Sequence, residues 1–251
     1  MSDRPVVLAG IAGLTAFAWF DLWRRGGGMA HGPSTDMTMA VPRALSSGLP
    51  DLLTAGAMWS IMMVAMMLPS ATPMLLFFSV RRAQQAPGGA GFPGGLFAAG
   101  FLLVWLSWAW LAAGLQWALG AALVLSPQMA VARPPVAAAL LVLAGVYQFT
   151  PLKHACLSRC QSPLGFLLSQ WREGTWGAVH MGIRYGASCV GCCWALMGVL
   201  FVVGVMNLLW VAALGVFVLA EKTALRGPWP GRVTGGALIA WALYLLGAPA
   251  M

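Results

Sequence analysis

Charge is scarce in this sequence. Only 8% of its residues are Asp, Glu, Lys or Arg, against roughly 25% in an ordinary soluble domain. Acidic residues number six in 251. So few charges cannot clothe a globule in water. A nucleotide-driven motor is excluded too, because the chain has no phosphate-binding G-x-x-x-x-G-K-[ST] loop and no polar stretch large enough for an ATP domain. No internal repeat is visible. The first apolar segment lacks a clean A-x-A cleavage site and carries Trp19 and Trp23, so it does not read as a removable leader.

What is present is apolar. Hydrophobic residues make up 60% of the chain, and the mean hydropathy is +0.82. About 20 apolar residues cross a bilayer as a helix. The sequence predicts an all-α polytopic transmembrane bundle of about seven spans, forming one domain over residues 1–251. The expected spans are 5–23, 52–79, 95–124, 135–150, 177–204, 207–221 and 233–248, with Pro69 and Pro73 kinking the second. The net charge of +8 falls in short loops, where it sets orientation, and so does not point to nucleic acid. With seven spans, Arg4, Arg81, Arg82, Lys153, Arg159, Arg172, Lys222, Arg226 and Arg232 share one side. Arg24, Arg25, Arg43 and Arg133 share the other. The richer side is expected in the cytoplasm, N-terminus included. The Arg24–Arg25 pair argues the opposite way.

Soft ligands cluster in three places. The second span reads "AMWSIMMVAMMLPS". Met58, Met62 and Met66 form one helical stripe, and Met63 and Met67 a second. Thioether sulfur selects Cu(I), although methionine also simply fills gaps in a core. The preceding stretch, expected as an extracytoplasmic loop over 24–51, offers Met29, His31, Asp36, Met37 and Met39 for metal capture. The fifth span contains "GASCVGCCWALMG". Cys189, Cys192 and Cys193 share a face at i, i+3 and i+4, on a stripe running Met181, Tyr185, Cys189, Cys193, Met197. Ala178, Gly182 and Gly186 make a small-residue face that lets another helix approach. A disulfide within a regular helix is geometrically poor, so metal is favoured over redox chemistry. Arg184 is a candidate to offset thiolate charge. The third cluster, "YQFTPLKHACLSRCQSP", places His154, Cys156 and Cys160 in an expected cytoplasmic loop over 151–176. It lacks the four ligands of a zinc site. Asn207 is expected to turn the chain, and Glu221 to form an ion pair at the membrane interface with Lys222, Arg184 or a loop arginine.

The stretches "MWSIMMVAMMLPSATP", "YQFTPLKHACLSRCQSPLGF", "GCCWALMGVLFVVGVMNLLW" and "EKTAL" together resemble a bacterial family of predicted metal-binding integral membrane proteins, catalogued as a domain of unknown function. The resemblance spans residues 58 to 225 and implies a multi-span membrane protein that binds metal. The expected function is the handling of a soft ion, copper first, in transport or in supply to a partner. The expected partners are the lipid bilayer, the metal ion, and a metallochaperone or membrane enzyme. The expected ligands are Cys189, Cys192, Cys193, Met197, Met58, Met62, Met63, Met66, Met67, Cys156, Cys160 and His154, with no catalytic residues. Two alternatives stay open: a membrane thiol oxidoreductase using the same cysteines, and a structural subunit of a membrane complex.

Overall fold

The computed structural model describes residues 3–30, 48–85, 93–121, 131, 133–205, 207–225 and 227–247. Among them it is helical without strands. In chain order the helices are α1 (Asp3–Ala30), α2 (Leu49–Gln85), α3 (Pro93–Ala121), α4 (Pro134–Gln148), α5 (Pro151–Gln161), α6 (Pro163–Gln170), α7 (Gly174–Gly198), α8 (Leu200–Val203), α9 (Leu208–Thr223) and α10 (Trp229–Gly247).

Local chemistry explains several boundaries. Helices α4, α5 and α6 each begin with proline, whose missing N–H is harmless in a first turn. Thr150 caps α5 by accepting from the Lys153 N–H at 3.3 Å. Asn207 caps α9 by accepting from Trp210 N–H at 3.4 Å, after Gly204 turns the chain at φ +92°. This matches the turning role expected of Asn207. In α2, Pro69 cannot donate to the Ala65 carbonyl one turn back. The Trp19 indole of α1 supplies that donor at 3.2 Å, so the proline's missing bond becomes a tie between helices.

The expectation of about seven spans is corrected. Three helices among the described residues are long and apolar enough to cross a membrane: Leu49–Arg82, Gly94–Ala121 and Gly174–Val203. A fourth appears only if α4 and α5 are counted as one span bent by 63°. Helices α4 and α9, at 15 and 16 residues, fall short of the roughly 20 that a span needs. Helix α10 begins Trp-Pro-Gly-Arg, which shortens its apolar part. Hydropathy located these helices, but α4 and α9 are shorter than a bilayer is thick, and α10 is not among the helices apolar enough to cross one.

The segment expected as a loop over 151–176 is also corrected. It forms α5, α6 and the start of α7, and Lys153, Leu157, Cys160, Phe166 and Leu167 are buried.

The tightest packing joins α3 to α7, and glycine makes it possible. A Cβ at Gly182 would sit 2.1 Å from the Phe97 carbonyl oxygen, and one at Gly100 would sit 2.3 Å from that of Val179. The small-residue face read from the sequence is therefore where the two backbones meet. Tyr185, one turn further along α7, is enclosed by Phe97, Phe101 and Phe166. Helix α2 packs against α1, α3 and α9, and α10 packs against α4.

Candidate metal centre

The α7 stripe is fully inside the bundle. Met181, Tyr185, Cys189, Cys193 and Met197 are all buried, as is Cys192. The thiols of Cys192 and Cys193 both donate to the Cys189 carbonyl, at 3.1 and 3.0 Å. This folds their sulfurs back toward the preceding turn, so three thiols occupy one patch of helix.

A fourth thiol arrives from α5. Cys160 is buried on the side of α5 that faces Cys189 and Cys192. Cys156, one turn earlier, rests on α7 at Gly191, where a Cβ would meet its sulfur at 2.7 Å. All five cysteines are free thiols. His154 is half-buried on α5.

The sequence reading missed the cation at this cluster. Lys222 of α9 is buried, and its Nζ lies 2.8 Å from Cys189 Sγ and 3.1 Å from Ser70 Oγ on α2. An ammonium out of water is costly unless it is paired. Here the pairing atoms are a sulfur and a hydroxyl. Arg184, the cation expected to offset the thiols, is instead exposed and donates to Gln170 Oε1 at 2.7 Å.

The expected interfacial pair of Glu221 with Lys222 is corrected as well. Neighbouring residues on a helix point about 100° apart, so these two serve different clusters. Glu221 is buried and pairs with the equally buried Lys153 at 2.5 Å. The Lys153 ammonium also donates to Gln148 Oε1. Gln161 of α5 completes the anchoring by donating to the carbonyls of Glu221 and Leu225, at 2.8 and 3.0 Å. The signal available in the sequence was "EKT" following an apolar run, with "PLKH" in a segment that reads as a loop.

The α2 methionines Met58, Met62, Met63, Met66 and Met67 are all buried, with Trp59 between the stripes. Trp59 donates to Gln116 Oε1 at 2.6 Å and stacks on Phe201. Ser70, which shares Lys222 with Cys189, stands one turn beyond Met66 on the same helix. The side chain of Met29 and residues 31–39, which include His31, Asp36, Met37 and Met39, lie outside the described residues.

Among the described residues, no three His, Cys, Asp or Glu side chains are arranged to hold a metal ion together. The thiols are therefore neighbours without the four-fold convergence of a structural zinc site. No curated protein and no solved structure matches the chain. Residues 56–245, which include every cysteine, the α2 methionines, Lys153, Glu221 and Lys222, match a family model. By that match the chain belongs to the PpoB2 family, described as a copper chaperone.

Proposed function

We propose that this protein is a membrane-embedded copper chaperone that holds Cu(I) at the buried thiols and passes it to a partner enzyme. The observation that carries the reading is that Cys189, Cys192 and Cys193 share one buried patch of α7 facing Cys160 of α5, with the buried Lys222 ammonium on Cys189. A single buried cysteine is an ordinary small hydrophobe, but four gathered on two facing helices form a soft donor set. Cu(I) is selected by such sulfur ligands and is satisfied by two or three of them. It therefore needs less convergence than zinc does.

Cys189 and Cys193 are the main ligands in this reading, with Cys192, Cys160 or Met197 completing the set. Met58, Met62, Met63, Met66 and Met67 form a softer, weaker store along α2, and half-buried Cys156 stands nearer the surface on α5. Three helices suit a bilayer in length and composition. Large apolar side chains such as Phe17, Leu111 and Leu209 face outward at 67%, 68% and 77% exposure, a surface that lipid covers better than water.

The test is copper per protein after loading with Cu(I) under reducing conditions. The Cys189→Ser/Cys193→Ser variant is expected to lose the bound copper while keeping its helical content, because a hydroxyl is a hard donor and Gly182 and Gly186 still pack α7 on α3. Met197→Leu is expected to weaken binding without removing it. Equal copper in wild type and the folded double variant would show that the thiols only fill space.

A further inference from the structure

Outside the buried cluster, an open cleft of about 470 Å³ runs between α5, α6 and α7. Its lining is unlike the rest of the molecule. Arg159 and Arg184 contribute two guanidiniums, and Ser158, Ser162, Ser169 and Ser188 contribute four hydroxyls. No carboxylate lines it, and among the described residues neither arginine pairs with one. In a chain with so few charges, two unneutralised cations around one concavity define an anion site. Guanidinium also presents a planar fork that matches a carboxylate.

One wall of the cleft is the sulfur-bearing side of α5. Cys156 lines the cleft directly, half-buried. Its sulfur rests against Gly191, between Cys189 and Cys192 in the α7 sequence. Cys160 follows one turn later on α5, buried and facing Cys189 and Cys192. A line of thiols thus leads from an anion-binding mouth to the buried cluster.

We propose that this cleft receives the ion as a complex with a small anionic thiol. Arg159 and Arg184 hold the carrier's carboxylate, and Cys156 takes the ion. The inference rests on the copper reading and names the form in which copper arrives. The step is a ligand exchange. A bond forms between Cys156 sulfur and Cu(I), and the bond between Cu(I) and the carrier sulfur breaks. The proton given up by Cys156 ends on the departing carrier. Copper stays Cu(I), so nothing is oxidised or reduced.

The test uses the full chain in discs of zwitterionic lipid, loaded from Cu(I)–glutathione, an anionic thiol complex, or from Cu(I)–2-mercaptoethanol, a neutral one. The readout is the ratio of the two loading rates. Arg159→Gln and Arg184→Gln are each expected to lower that ratio about two- to fivefold, as solvent-exposed ionic contacts do, and the pair about tenfold. Arg184→Lys is expected to restore part of it. Cys156→Ser is expected to slow loading from both carriers. An unchanged ratio in the double arginine variant, with wild-type copper at the end point, would overturn the carrier while leaving the copper site intact. Failure of wild type to take copper from either carrier would overturn both. Equal rates for the two carriers, with the arginine variants shedding added anionic phospholipid, would assign the cleft to a lipid headgroup and overturn the proposal.

Discussion

Lys153→Met is the most severe single change the structure offers. Lys153 and Glu221 are both buried, at 0% and 1% exposure, and their charged atoms stand 2.5 Å apart. Removing the ammonium strands a carboxylate inside the bundle. Breaking a buried pair in this way costs about 3–5 kcal/mol. For a chain of this size each kcal/mol moves the midpoint by about 2–4 °C, so Tm should fall by about 6–20 °C. Lys153→Met/Glu221→Met is expected to behave quite differently, because both charges then leave together. What remains is the Gln148 side-chain oxygen without its donor, a neutral loss of about 1–3 kcal/mol. Thermal unfolding followed by circular dichroism in detergent, on wild type, both single variants and the double, would measure the cycle. If the double variant is no more stable than Lys153→Met alone, the buried charge is not what makes the single change severe. If Lys153→Met unfolds within about 2 °C of wild type, the pair contributes nothing measurable.

Three further outcomes follow from other contacts. Gly182→Leu places a side chain where even a Cβ would stand 2.1 Å from the Phe97 carbonyl, so α3 and α7 must separate. The expected loss exceeds the roughly 1–3 kcal/mol of ordinary overpacking, read as a lower Tm with faster proteolysis. Trp19→Phe removes the indole N–H that serves the Ala65 carbonyl, and about 1–3 kcal/mol should be lost. The same substitution in a Pro69→Ala background should cost less, since residue 69 can then donate. Gly191→Ala pushes against the Cys156 sulfur at 2.7 Å, and maleimide labelling of Cys156 should become faster relative to Cys160.

Sequence periodicity was informative wherever one helix sufficed. The stripe from Met181 to Met197 and the glycine face of α7 follow from a repeat of 3.6 residues and the burial it produces. Both α2 methionine stripes proved buried for the same reason. Periodicity failed where partners lie far apart in the chain. Lys153 meets Glu221 across 68 residues and Lys222 meets Cys189 across 33, and no local pattern encodes either pairing. The span count failed for a different reason. Apolar content locates α4, but it does not reveal that the chain bends by 63° after Gln148 and continues into α5. Prolines at 134, 151 and 163 stand at helix starts, a signal left unused when 151–176 was read as a loop, and the cysteines there drew attention away from the buried lysine beside them.

The adjacency of Glu221 and Lys222 has a mechanical meaning. Two consecutive side chains at the end of α9 are fastened to opposite neighbours, Glu221 to α5 through Lys153 and Lys222 to α2 and α7 through Ser70 and Cys189. A shaft pinned at two angles cannot rotate without slipping one pin. Glycines with left-handed backbone, Gly204 at φ +92° and Gly227 at φ +95°, lie just beyond each end of this shaft, the places where torsion is most easily absorbed. An ion held at Cys189 would compete with the Lys222 ammonium for its sulfur, loosening one pin while the Lys153–Glu221 pin stayed fixed. Any such loosening would reach the rest of α9 as torque about that remaining pair.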